Sequence, residues 1–75
     1  MHFSYNIIVD LKIIGKKIKS TRFQLGYTQE QLAEKVDCSW RYIQAIEQGK
    51  RIPSLKWLNS FSEKLEVPLN LFLEH

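Results

Sequence analysis

Apolar residues recur at three- and four-residue intervals over most of this chain, and that spacing predicts a succession of helices. Leu11, Ile14, Ile18 and Leu25 mark a first helix, from a cap at Asp10 to about Gln24, with Gly26 ending it. Leu32, Ala33 and Val36 give a second over about 29–36, and Ile43 and Ile46 a third over about 40–48. Lys50-Arg51-Ile52-Pro53 reads as a loop, because a proline restricts the residue before it. Ser54 can cap a fourth helix carrying Leu55, Leu58, Phe61 and Leu65 on its inner stripe. A short fifth begins near Pro68, a residue tolerated in a first turn, and uses Leu69, Phe72 and either Leu71 or Leu73. The expected fold is therefore all-α, a compact five-helix domain over residues 10–75.

Residues 1–9 break the rhythm. Phe3, Tyr5, Ile7 and Val9 alternate with Ser4 and Asn6, a period of two that suits an extended strand. Ile7 with Leu11, Ile14 and Ile18 also fits a longer first helix. The Asp10 cap favours a short N-terminal arm packed on a partner or on its own domain.

The run TQEQLAEKVDCSWRYIQAIEQG, Thr28 to Gly49, is the most informative segment. Thr28 and Gln31 have the spacing of a capping box, in which each side chain bonds the other's backbone amide. Asp37 falls where the chain must turn sharply, Ser39 can cap the next helix, and Gly49 offers a left-handed stop. With Ile43 and Ile46 turned inward, Trp40, Arg41, Gln44 and Ala45 point outward. Two short packed helices, the second exposing hydrogen-bonding side chains, have the form of a DNA reader.

Charge agrees with that reading. The net charge is +3 over 75 residues. Lys12, Lys16, Lys17, Lys19 and Arg22 lie between Leu11 and Glu30 with no acidic residue among them, and Arg41, Lys50 and Arg51 add positive charge around the third helix. Such asymmetry suits a polyanion. The first-helix lysines fit a solvated face equally well. A 44% hydrophobic content supports one small core. The single cysteine, Cys38, cannot form an internal disulfide and reads as a small buried apolar side chain, with a redox sensor as the alternative. There is no stretch long and apolar enough for a membrane span and no signal-peptide pattern, so the expected location is the cytoplasm.

From about Asp10 to Leu73 the chain resembles the Cro/repressor-like (XRE-type, lambda-repressor-like) helix-turn-helix family. The family's apolar positions match Leu32, Val36, Cys38, Ile43 and Ile46, and its small residue matches Ala33. Asp37 departs from the glycine usual in the turn, although Asp tolerates positive φ better than most residues. The resemblance implies an ion pair between Arg22 and Glu47 tying the first helix to the third. It also implies phosphate contact by Gln29 and a two-fold dimer on an inverted repeat, with half-sites about 10 to 10.5 base pairs apart. The candidate dimer surface is the last two helices, with Trp57, Leu71 and Leu73 exposed; core packing is the alternative for each.

By position, Trp40, Arg41, Gln44 and Ala45 are the candidates for base contact. Arg41 suits guanine O6 and N7, Gln44 an adenine, and Ala45 a thymine methyl. Trp40 stands where the family often has a hydrogen-bonding residue, so it either presses on the groove or packs on the protein. Ser39, Tyr42, Lys50 and Arg51 join Gln29 as phosphate candidates.

Nothing suggests catalysis. His2 and His75 lie at opposite ends, and no metal-ligand cluster, nucleophile-base pair or glycine-rich phosphate loop occurs. No metal or cofactor is expected. Three functional readings remain. The first is a small transcriptional regulator, a repressor by preference, acting on an operator. The second is an antitoxin-type interaction module that binds a toxin or another regulator and DNA secondarily. The third is the DNA-binding end of a longer sensor, or the controller of a restriction-modification system. The ending LEVPLNLFLEH, with no linker after it, argues mildly against truncation.

Overall fold

A computed structural model describes residues 3–72, with side chains from Ile13 onward. In chain order it contains α1 (Phe3–Gln24), α2 (Gln29–Val36), α3 (Trp40–Glu47), α4 (Leu55–Leu65) and a closing 3-10 turn (Leu69–Phe72). All the described elements are helical. No described helix is long and apolar enough to cross a membrane.

Local sequence chemistry sets the short helices. Thr28 accepts from the Gln31 amide at 3.0 Å, while Gln31 Oε1 accepts from the Thr28 amide at 2.9 Å, so the capping box is closed. Ser39 and Ser54 cap α3 and α4 through the amides of Tyr42 and Trp57. Asp37 ends α2 at φ 65° and Glu66 ends α4 at φ 57°, both left-handed, and their amides satisfy carbonyls of the last turn. For Asp37 this is the conformation that the missing turn glycine demanded.

The core is a single cluster. Ile14 and Ile18 of α1, Leu32, Ala33 and Val36 of α2, Ile43 and Ile46 of α3, and Leu58, Phe61 and Leu65 of α4 close on Phe72. Aromatic rings extend it in a line: Tyr42 meets Trp57 edge-on at 5.4 Å, Trp57 meets Phe61 at 5.1 Å, and Phe61 meets Phe72 edge-on at 5.5 Å. Two lysines fasten the periphery through backbone carbonyls. Lys17 Nζ donates to Leu71 O at 2.6 Å, and Lys64 Nζ donates to Val36 O at 3.3 Å, a cation at the end of α2.

Several expectations need correction. Helix α1 begins at Phe3, not at Asp10, so residues 3–9 are not an extended arm. The three- and four-residue spacing of Ile7, Leu11, Ile14 and Ile18 wins over the local capping preference of one aspartate, since a helix tolerates Asp at modest cost. The fifth helix is a single 3-10 turn, because the four residues after Pro68 are too few for a run of α-type bonds. Leu25 and Leu55 are exposed, at 43% and 61%. Leu25 lies past the last helical residue, where the spacing no longer applies, and Leu55 sits in the first turn of α4, short of the core. Cys38 is only half-buried. Trp57 is half-buried within the ring line rather than exposed. Leu73 and residues 1–2 lie outside the described residues.

Candidate nucleic-acid interface

Helices α2 and α3 are joined by Asp37, Cys38 and Ser39, and the turn is held by its own backbone. The Cys38 amide donates to Ala33 O at 2.9 Å, and Ser39 Oγ accepts from Tyr42 N at 3.2 Å. Burial pushes the Cys38 thiol above its ordinary pKa, with the Asp37 charge acting the same way and Lys64 opposing. This short, satisfied turn fixes where α3 starts.

Helix α3 buries Ile43 and Ile46 completely. On its outer side Trp40 and Arg41 are exposed, and Gln44 and Ala45 are half-exposed. The Arg41 guanidinium lies 5.6 Å from the Trp40 ring centre, and Arg51 lies 5.3 Å from that of Tyr42. Trp40, 38% exposed, is thus a neighbour of Arg41 on the surface and outside the core cluster. Tyr42 divides its ring between Trp57 beneath and Arg51 above. Among the described residues, Arg41, Lys50 and Arg51 make no ion pair, so their charge is available to a ligand.

The loop after α3 is anchored to it. Gly49 stands at φ 75°, and Ala45 O accepts from the amides of both Lys50, at 2.8 Å, and Arg51, at 3.3 Å. This wrap turns the two cations back beside the helix they follow. Ser39, the cap, is exposed at the opposite end.

Glu47 is the hub behind this face. Its Oε2 accepts from Arg22 Nε at 2.7 Å and its Oε1 from Arg22 Nη2 at 3.0 Å, a two-point pair whose side chains are 8% and 3% exposed. Arg22 also donates to Tyr27 O at 3.0 Å, and the hydrogen bond to Glu47 holds its pKa above the ordinary arginine value. Gln29 Nε2 donates to Glu47 Oε1 at 3.1 Å. One carboxylate therefore joins α1, α2 and α3. It also holds Gln29 at the first turn of α2, where free backbone amides favour an anion. The Gln29–Glu47 bond was not readable from the sequence, because its partners are 18 residues apart on different helices.

Comparison with known proteins gives a family. Residues 15–74 match the model of a helix-turn-helix domain family. Over 63 residues the chain is 33% identical to the HTH-type transcriptional regulator SinR of Bacillus subtilis, a match covering 83% of this chain and 57% of SinR. The crystal structure of SinR, the master regulator for biofilm formation, in complex with DNA is similar at TM-score 0.75 and 34% identity. That match covers 81% of this chain and 98% of that one. The restriction-modification controller protein C.AhdI of Aeromonas hydrophila is similar at TM-score 0.79 and 25% identity, over 87% and 94%. The match to an uncharacterized HTH-type regulator of Sinorhizobium medicae covers 44% of that relative, so the chain spans less than half of its length.

Proposed function

Because the chain belongs to the XRE-type helix-turn-helix family of transcriptional regulators, we propose that it binds double-stranded DNA sequence-specifically and regulates transcription in the cytoplasm, as a repressor. One observation carries this reading. The outward face of α3 combines a capped N-terminus, two exposed base-reading candidates and cations that no carboxylate among the described residues neutralises.

In this reading α3 enters the major groove by its N-terminal half. Arg41 reads a guanine, Gln44 an adenine, Ala45 meets a thymine methyl, and Trp40 supports Arg41 and lines the groove wall. Gln29, Ser39, Tyr42, Lys50 and Arg51 hold phosphates at the two margins and set the register. The protein works by binding and needs neither catalysis nor cofactor. Two copies act together on an inverted repeat. Ile52 and Leu55, 60% and 61% exposed where the loop meets α4, replace Trp57 as the apolar contact proposed for the second copy.

Selection of bound sites from random duplex DNA tests the reading. A two-fold-related consensus is expected, and absence of enrichment at moderate salt overturns it. Lys50→Ala should weaken all duplexes alike and flatten the plot of log affinity against log salt by about one unit. A second role, as controller of a restriction-modification system, is favoured by the likeness to C.AhdI over 94% of that chain. It predicts that the consensus lies beside the genes of a restriction-modification system.

A further inference from the structure

Gly15 stands in the buried part of α1 with no turn to make and no left-handed angle to adopt. Helix formation alone would favour alanine there. Its surroundings explain the choice. A Cβ on Gly15 would overlap the carbonyl oxygen of Ile46 and lie 3.2 Å from that of Glu47. Both neighbours are backbone atoms of the last turn of α3, which no rotamer change can move aside. Helix α1 thus rests directly on the main chain of the reading helix.

Seven residues further along α1, Arg22 grips the Glu47 side chain by two hydrogen bonds. Glu47 is therefore held from α1 twice, by its carbonyl against Gly15 and by its carboxylate on Arg22. Contact at two points along one helix defines an angle as well as a distance. The N-terminal end of α3, with Trp40 and Arg41, follows the Asp37–Ser39 turn and is seated by buried Ile43 and by Tyr42 against Trp57. A shift of the C-terminal end is then carried along the eight-residue helix to the residues that read bases.

We propose that Gly15 is a positioning residue for sequence discrimination: it sets the tilt of α3 in the groove although it lies outside every DNA-contact set. The proposal rests on the reading of α3 as the recognition helix. Phosphate contacts tolerate a small tilt, because a charge is felt over several ångströms, whereas paired hydrogen bonds to a base edge do not. Extra bulk at Gly15 should therefore erode specific binding and spare non-specific binding.

The experiment compares wild type, Gly15→Ala and Ile18→Val on two duplexes of equal length, the one selected by wild type and a shuffled version. Ile18 is fully buried on the same helix three residues on, so trimming it loosens the core without adding bulk against α3. The selectivity ratio should fall at least tenfold in Gly15→Ala, with shuffled-duplex affinity within about twofold of wild type, and should hold in Ile18→Val. Gly15→Ala with an unchanged ratio overturns the proposal, as does an equal loss on both duplexes. Gly15→Ala is also made in an Asp37→Gly background, which relieves the left-handed Asp37 and adds stability. Failure of both versions to fold makes Gly15 a folding requirement only and likewise overturns the role in reading. A wild-type protein that selects no sequence refutes the DNA-reading function itself, an outcome distinct from all of these.

Discussion

Helices α2 and α3 have the same length, eight residues, and each starts from a hydroxyl cap, yet they present opposite surfaces. Helix α2 exposes Glu30, Gln31, Glu34 and Lys35, a solvated face with an acidic balance. Helix α3 exposes Trp40 and Arg41, and its one carboxylate, Glu47, is neutralised behind the helix by Arg22. The ends differ too. Helix α2 stops on a left-handed aspartate, whereas α3 runs through right-handed Gln48 to a left-handed glycine. What separates the two faces is where the charge goes and how the ends are tied, since the helix-forming chemistry is shared.

Removing the charge sink behind α3 should have the largest effect. Glu47→Ala leaves Arg22 buried without its carboxylate and releases Gln29. Breaking a buried pair from one side costs roughly 3–5 kcal/mol, against a total stability of about 5–15 kcal/mol for small domains. A collapse of the melting temperature is expected; an unchanged one would mean that the pair holds nothing together. Gln29→Ala removes a single neutral donor to the same carboxylate, so it should cost less, about 1.5–3 kcal/mol. Scanning calorimetry of the two variants ranks the bonds.

The outward face comes next. Arg41→Ala should lower affinity for the selected duplex and relax choice at one base position by about 1–3 kcal/mol, without shifting the melting temperature. Glu34→Ala on α2 should change neither. A variant of Arg41 that kept affinity and preference would erase the functional difference between the two helices.

The two stops give a smaller effect. Asp37→Gly should raise stability by up to about 1 kcal/mol, because glycine adopts positive φ without steric cost. Gly49→Ala, at φ 75°, should lower it by a similar amount. Chemical denaturation measures both, and equal signs would contradict the left-handed geometry.

The smallest effect is at the turn itself. Burial raises the Cys38 thiol's pKa in the folded protein, so the unfolded chain loses that proton first as pH rises. The stability this contributes is present below the ordinary thiol pKa of about 8.5 and fades as pH climbs through the raised value. Cys38→Ala should remove that component, which appears as a difference between the alkaline stability profiles of variant and wild type.

The features readable from sequence share one property: their causes lie within a few residues. The capping box of Thr28 and Gln31, the serine caps, the left-handed Asp37 and the inward Ile43 and Ile46 all follow from local spacing. Where two local signals competed, at Asp10 against the Ile7–Ile18 stripe, the longer pattern prevailed. The stripe also misplaced Leu25 and Leu55, because periodicity says which side a residue is on and not whether a neighbour reaches it. The Arg22–Glu47 pair was expected from family resemblance alone.

The sequence by itself determined α2, α3 and α4, their caps and the identity of the outward side chains on α3, since hydrogen bonds three or four residues apart and apolar spacing are properties of a short stretch. Only tertiary structure decided that one carboxylate gathers Arg22 and Gln29, that Tyr42 lies between Trp57 and Arg51, and that Gly15 leaves room for the carbonyls of α3. Each of these depends on the distance between helices, and that distance is set by how the whole core packs.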